Sequence, residues 1–185
     1  MARLLDAGLS AFAELGFHST SIDEICARAH LARGTFYSHF ESKDALFFAL
    51  FEQHMTQELN RIAEAVELAG TVEEAILGAA GAATAQPDVE RRWFIISTEF
   101  TMYAARNSQA AQLLTKHEDA VRARLRATLA RFVDESSIDT DLAVRFIVAL
   151  YDGAMLQDVV GTDLAVTSRM LSQVLPLTLQ LFEQH

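Results

Sequence analysis

A single cysteine, Cys26, and only two prolines, Pro87 and Pro176, interrupt this chain of 185 residues. One thiol excludes an intrachain disulfide framework and fits a reducing cytoplasm. Two prolines and eight glycines in a sequence that is 51% hydrophobic leave long stretches free of helix breakers. That favours an all-helical protein with a sizeable core. No uninterrupted apolar run of about eighteen residues occurs, so no membrane span is expected. No charged segment followed by an apolar core opens the chain, so no secretory signal is expected either. The six histidines are scattered, and no zinc-type His/Cys cluster, phosphate-cradling glycine loop or nucleophile motif accompanies them. Enzyme function, a metal and a cofactor are therefore not expected.

Positive charge is scarce as well. Fifteen Lys/Arg against 25 Asp/Glu leave a net charge of −10, an unpromising total for a partner of nucleic acid. The distribution is uneven. Residues 1–45 hold four Lys/Arg against six Asp/Glu, and residues 46–185 hold eleven against nineteen. Residues 25–40 contain no acid but do contain Arg28, His30, Arg33 and His39, a small locally basic window.

What is present is helical periodicity. Leu4, Leu5, Leu9, Phe12, Ala13 and Leu15 recur on one face of a first helix, which Gly16 is placed to end. Ser21 and Glu24 have the spacing of a capping box for a short second helix reaching about Arg28. A break around 29–31 and a third short helix over 32–38 make a helix-turn-helix. Ser42 and Asp44 open a long fourth helix to about Leu68, and Thr71 with Glu74 caps an alanine-rich fifth that stops before Pro87. Four more helices are expected over about 88–106, 109–134, 141–160 and 163–183, about nine in all. The last two are apolar around most of their circumference, which predicts burial against a second copy in a two-fold four-helix bundle. The arginines at 122, 124, 126 and 131 read as a solvated face.

Residues 16–46 carry a more specific signal. Gly16-Phe17 at a turn, Thr20-Ser21 at a helix start, the Ile25/Ala29 spacing, Gly34-Thr35-Phe36-Tyr37, Phe40 and Ser42-Lys43-Asp44-Ala45-Leu46 together resemble the DNA-binding domain of the tetracycline-repressor (TetR) family. The resemblance implies a three-helix DNA-binding domain over residues 1–45. It implies a larger helical effector-binding and dimerisation domain over residues 46–185. Arg33 is placed to read a guanine edge, Gly34 to let the backbone approach closely, and Thr35 to offer a methyl and a hydroxyl. Tyr37, His39 and Lys43 match the family's phosphate-contacting positions, and Thr20 and Ser21 suit a further phosphate. Three departures stand out. His30 replaces the usual turn glycine and Ala32 the usual serine cap. The first helix begins almost at Met1, without the basic arm that the family usually carries.

In the second half, Trp93-Phe94, Glu99-Phe100, Tyr103 to Asn107 and Leu150 to Ala154 resemble one broad branch of that family, which binds varied small molecules. The expected pocket, between helices four and eight, draws on Phe51, Met55, Trp93, Phe94, Glu99, Phe100, Tyr103, Phe146, Tyr151 and Met155. The same spacing equally describes ordinary core. The function these residues imply is a cytoplasmic, ligand-responsive transcriptional regulator. As a homodimer through its last two helices, it would be released from a palindromic double-stranded operator by an unidentified small-molecule effector. The alternative is a helical binding module that kept the fold and lost specific DNA binding.

Overall fold

The computed structural model describes residues 1–131, 139–161 and 166–178, and among these it contains nine α-helices and no strand. Helix α1 spans Ala2–Leu15 and buries Leu4, Ala7, Gly8, Ala11 and Phe12, an i, i+3, i+4, i+7, i+8 face. Gly8 is small because a Cβ there would come within 2.6 Å of the Leu46 side chain. Gly16 ends the helix at φ 81°, a conformation that favours glycine, and its N–H closes onto the Phe12 carbonyl at 2.9 Å.

Helix α2, Ile22–Ala29, starts where the Ser21 hydroxyl accepts the Glu24 N–H at 3.1 Å. Only that half of the expected box forms, because the Glu24 carboxylate accepts from Arg28 instead. At its other end His30 adopts the left-handed conformation, φ 54° and ψ 46°. Two carbonyl bonds, His30 to Ala27 and Leu31 to Cys26, close a Schellman turn there. Helix α3 is short, Arg33–Tyr37, and Ala32 gives it no side-chain cap. Helix α4 runs Lys43–Glu67 from a Ser42 cap, α5 spans Val72–Ala83, and α6 spans Pro87–Ala104 with its proline in the first helical position. Before α5, Thr71 caps Glu74, whose carboxylate reaches past the cap residue to the Gly70 N–H.

Helix α7, Ser108–Leu129, is capped by Asn107, whose side-chain oxygen accepts from Gln109 and Ala110. Helix α8, Thr140–Val160, begins at Asp139. Helix α9, Val166–Thr178, follows. The ends expected for helices seven and nine, beyond 131 and 178, and the start expected for helix nine at 163 lie outside the described residues.

The chain divides into two compact units, 1–55 with 92–117, and 56–91 with 118–185. An aromatic stack forms the core of the first. Phe47 and Phe100 lie face to face with centroids 3.7 Å apart, and Phe17 meets Phe100 edge-on at 4.9 Å. Phe12, Phe17, Phe36, Phe47 and Phe100 are all buried, each worth about 1.5–3 kcal/mol of transfer from water. Cys26 sits in the same unit as a buried free thiol whose pKa burial pushes up, so it packs as a small apolar group. In the second unit Ala80, Leu171 and Leu175 form a core cluster with Ile76, Ile147, Leu150 and Tyr151 against it. Arg124 and Arg126 of α7, and Arg131 just beyond it, do more than face solvent. Arg124 donates to Asn60 at 2.9 Å, and Arg126 and Arg131 pair with Asp141 and Glu67.

Candidate nucleic-acid interface and ligand cleft

The helix-turn-helix is built from α2, the left-handed turn at His30 and α3. Ile25 and Phe36 are fully buried beneath it, which fixes the two helices and leaves the opposite side of α3 exposed. On that side Arg33, Gly34 and Tyr37 are exposed, Thr35 is half-buried, and His39 is exposed just beyond the helix. Among the described residues, no packing neighbour of Gly34 stands within 4 Å of where a Cβ would lie. Arg33 Nη1 donates to both oxygens of Asp23 at 2.9 Å, and its Nη2 lies 3.3 Å from the Tyr37 hydroxyl. Ser21 is exposed and caps α2.

Two of the eight residues expected at a DNA surface are engaged inside the fold. Thr20 is buried, and its hydroxyl donates toward the Ala11 and Gly16 carbonyls at 3.1 and 2.7 Å. The Lys43 ammonium donates to the carbonyls of Phe17, His18 and Thr20 at 2.6, 3.2 and 2.8 Å, and lies 4.5 Å from the Phe17 ring centroid. Its three hydrogens therefore have partners, and burial lowers its pKa. Lys43 clamps the turn that carries α2 rather than projecting outward.

The remaining cations of residues 1–45 are also engaged. Arg3 caps the C-terminus of α2 by donating to the Ala29 and His30 carbonyls, where a positive charge suits the helix dipole. Arg28 bridges Glu14 and Glu24, both at 2.8 Å.

The ten expected ligand residues fall into two groups. Phe51, Met55, Trp93, Phe94, Glu99, Phe100 and Tyr103 belong to the first unit, and Phe146, Tyr151 and Met155 to the second. Phe51, Trp93 and Phe100 are buried in the aromatic stack around Phe47. Glu99 accepts the Phe17 N–H at 2.7 Å, so it anchors the turn after α1. Tyr103 lies 3.3 Å from Asp44 and receives the Asn107 amide at 2.8 Å. These interactions make them part of the first unit's packing.

The second unit contains a cleft of about 180 Å³ lined by residues including Ala83, Pro87, Glu90, Met155, Asp158 and Thr167. Met155 is the one expected residue on it. Asp158 is 4% exposed. One of its oxygens accepts from the Thr167 N–H and hydroxyl, while Oδ1 is buried with no partner among the described residues. Beside the cleft, Arg61 bridges the buried Glu58 and Glu90. Burial first, and Glu90 second, push the Glu58 pKa up to about 7. The same burial, with Glu90 and Glu58, raises that of Tyr151. Sequence pattern missed this group because Glu58 and Arg61 look like any i, i+3 surface pair until Glu90 closes on them.

Comparison with known proteins agrees with these features. Residues 4–50 match the family described as bacterial regulatory proteins, tetR family. Residues 72–179 match the BetI-type transcriptional repressor, C-terminal family. The HTH-type transcriptional regulator UidR of Escherichia coli (strain K12) is 32% identical over 170 residues, spanning 88% of this chain and 83% of that one. Among solved structures, Salmonella enterica GusR superposes with a TM-score of 0.74 at 26% identity, over 97% and 94% of the two chains. The fatty acid degradation regulator FadR from Bacillus halodurans reaches 0.80 at 21% identity, over 94% and 93%.

Proposed function

We propose a mode of action for a chain that belongs to the tetR family of bacterial regulatory proteins, a membership established along most of its length. It is a ligand-responsive, DNA-binding transcriptional regulator of repressor type, acting by binding rather than catalysis. It works in the cytoplasm; among the described residues no helix is long and apolar enough to cross a membrane.

The observation that carries the DNA-binding assignment is Gly34. It is an exposed glycine at the start of α3, between Arg33 and Thr35, and among the described residues no packing neighbour stands within 4 Å of where a Cβ would lie. A base edge approaching the start of α3 would use the space a Cβ would fill. The DNA-binding domain is residues 1–45 and the effector and dimerisation domain is residues 46–185. Arg33, Gly34 and Thr35 meet base edges, while Ser21, Tyr37 and His39 meet phosphates. Thr20 and Lys43 serve that face indirectly, by fixing the turn beneath it.

A second copy joins through α8 and α9. Leu142, Leu156 and Val160 of α8 are 52, 53 and 83% exposed, and Leu177 of α9 is 66% exposed. A two-fold dimer places its recognition helices about 34–36 Å apart or a multiple of that, so the operator is palindromic. The effector occupies the cleft of the second unit. At about 180 Å³ it is smaller than the usual ligand-pocket range of roughly 300–1,000 Å³, so only a compact effector would fit it. Binding there favours a state whose recognition helices fit the operator poorly, and operator affinity falls by the ligand's preference for that state.

Selection from a random duplex pool with the full chain tests this. One enriched two-fold-symmetric sequence is expected, with affinity lost on adding a small molecule that also raises the melting temperature. No enrichment above random duplex would refute DNA recognition.

A further inference from the structure

The geometry points to Asp23 as a positioning and specificity-determining residue, which braces Arg33 so that its free donor edge meets a guanine. This rests on the DNA-binding assignment above. Asp23 lies in the first turn of α2 and Arg33 is the first residue of α3, so the pair ties together the two helices of the helix-turn-helix. Nη1 of Arg33 donates to both carboxylate oxygens at 2.9 Å. Nη2 lies 3.3 Å from the Tyr37 hydroxyl, and the guanidinium carbon is 5.7 Å from that ring's centroid. A guanidinium carries five N–H donors in a rigid plane. Nη1 is taken by the carboxylate and one Nη2 hydrogen by the Tyr37 hydroxyl, which leaves Nε and one Nη2 hydrogen as donors for a base edge. Guanine O6 and N7 accept such a pair in the major groove.

The pair does little for folding. Its side chains are 58 and 66% exposed, and exposed pairs contribute little to stability. Its consequence is orientation. An unbraced arginine on an exposed helix of five residues has many rotamers to lose on contact with a base. Asp23 also puts a negative charge beside the incoming phosphates, which weakens binding to every sequence equally. The brace thus helps one base pair while the charge penalises all DNA. Arg3, Arg28 and Lys43 offer no substitute reader, since each donates to partners in its own chain.

The test measures dissociation constants of the full chain for its selected duplex and for random duplex at one fixed salt concentration. Wild type, Asp23→Ala and Asp23→Glu are compared. Asp23→Ala is expected to weaken the selected duplex about tenfold and to tighten random duplex about two- to fivefold. Asp23→Glu is expected to keep most of the wild-type ratio. Selection repeated with Asp23→Ala is expected to lose preference at one G·C pair in each half-site and nowhere else. If both duplexes shift together in either direction, Asp23 acts through bulk charge or fold and the assignment falls. It also falls if base preference is unchanged at every position. Wild-type protein that enriches no sequence would refute DNA recognition itself, a result distinct from either of those.

Discussion

Replacing Gly34 with alanine separates what the fold needs from what the interface needs. Gly34 is the second residue of α3, exposed, with no packing neighbour among the described residues within 4 Å of where a Cβ would stand and no positive φ. Neither packing nor backbone geometry calls for glycine. A helical glycine costs roughly 0.5–1 kcal/mol against alanine, and at the start of so short a helix the low end applies. Gly34→Ala is therefore expected to stabilise the protein by about 0.5 kcal/mol, a rise of about 1–2 °C in Tm for a chain of this size. Against DNA the added methyl occupies the space through which the α3 backbone approaches base edges. Losing contacts of that kind costs about 1–3 kcal/mol, so affinity should fall about 10- to 100-fold. Thermal melts at equal protomer concentration and fluorescence anisotropy on the selected duplex at fixed salt read the two effects independently. A variant that binds within twofold of wild type would refute the interface. A variant that melts lower would refute the open space around Gly34.

Other outcomes follow from the same surface and from the buried acids. Ala32→Ser supplies the missing acceptor at the start of α3 and is expected to add about 1 kcal/mol in chemical denaturation; no gain would mean the helix start is frayed. His30→Gly removes the left-handed strain at the Schellman turn and should add about 0.5–1 kcal/mol, read by the same titration. Glu58 has a folded pKa of about 7 against an ordinary 4.5, so between those values the folded state binds more protons than the unfolded state. Stability therefore falls as pH rises through that window and is level above it; Glu58→Gln should flatten the slope between pH 5 and 7.5, and an unchanged slope would assign it elsewhere. Because the four cations of residues 1–45 already have partners, operator affinity should vary with salt on a logarithmic slope of only about −2 to −3 per dimer. A slope near −6 would show that the internal pairs open on DNA.

How much of this was legible in the sequence depended on how far apart the interacting residues lie. Caps at Ser21, Ser42 and Thr71 were readable because donor and acceptor are three residues apart, and all three form. The strained turn at His30 and the uncapped start at Ala32 were readable as departures from a pattern, and both are present. Lys43 was not readable. The carbonyls it clamps lie 23 to 26 residues earlier and converge only after the Gly16 turn forms. Glu99 pairs with a backbone N–H 82 residues away, so its lone acidity in an apolar stretch looked like ligand chemistry. Phe51, Trp93 and Phe100 carried a spacing that core and pocket share, and the structure stacks them around Phe47. Asp158 and Glu90 carry no signal in the sequence, because helical periodicity does not reveal which acids end up beside a cleft.

The acidic composition then becomes part of how the protein discriminates. Nonspecific affinity for DNA grows with the number of cations free to displace counterions from phosphates. Here Arg3, Arg28 and Lys43 neutralise carbonyl clusters or carboxylates of their own chain, so they stabilise the DNA-binding unit while adding little attraction to phosphate. The base-edge contacts proposed for Arg33, Gly34 and Thr35 would not depend on that count. Removing free cations lowers binding to random sequence more than binding to the operator, and the ratio between them rises. The cost is weak binding by a single head. In the proposed dimer, two heads joined through α8 and α9 would offset it, because the second would engage at the high effective concentration set by the first. A variant with charges at Leu156 and Val160, held monomeric, should therefore lose detectable operator binding while its α2–α3 unit stays folded. Retained affinity in a proven monomer would place the missing phosphate contacts on cations outside residues 1–45.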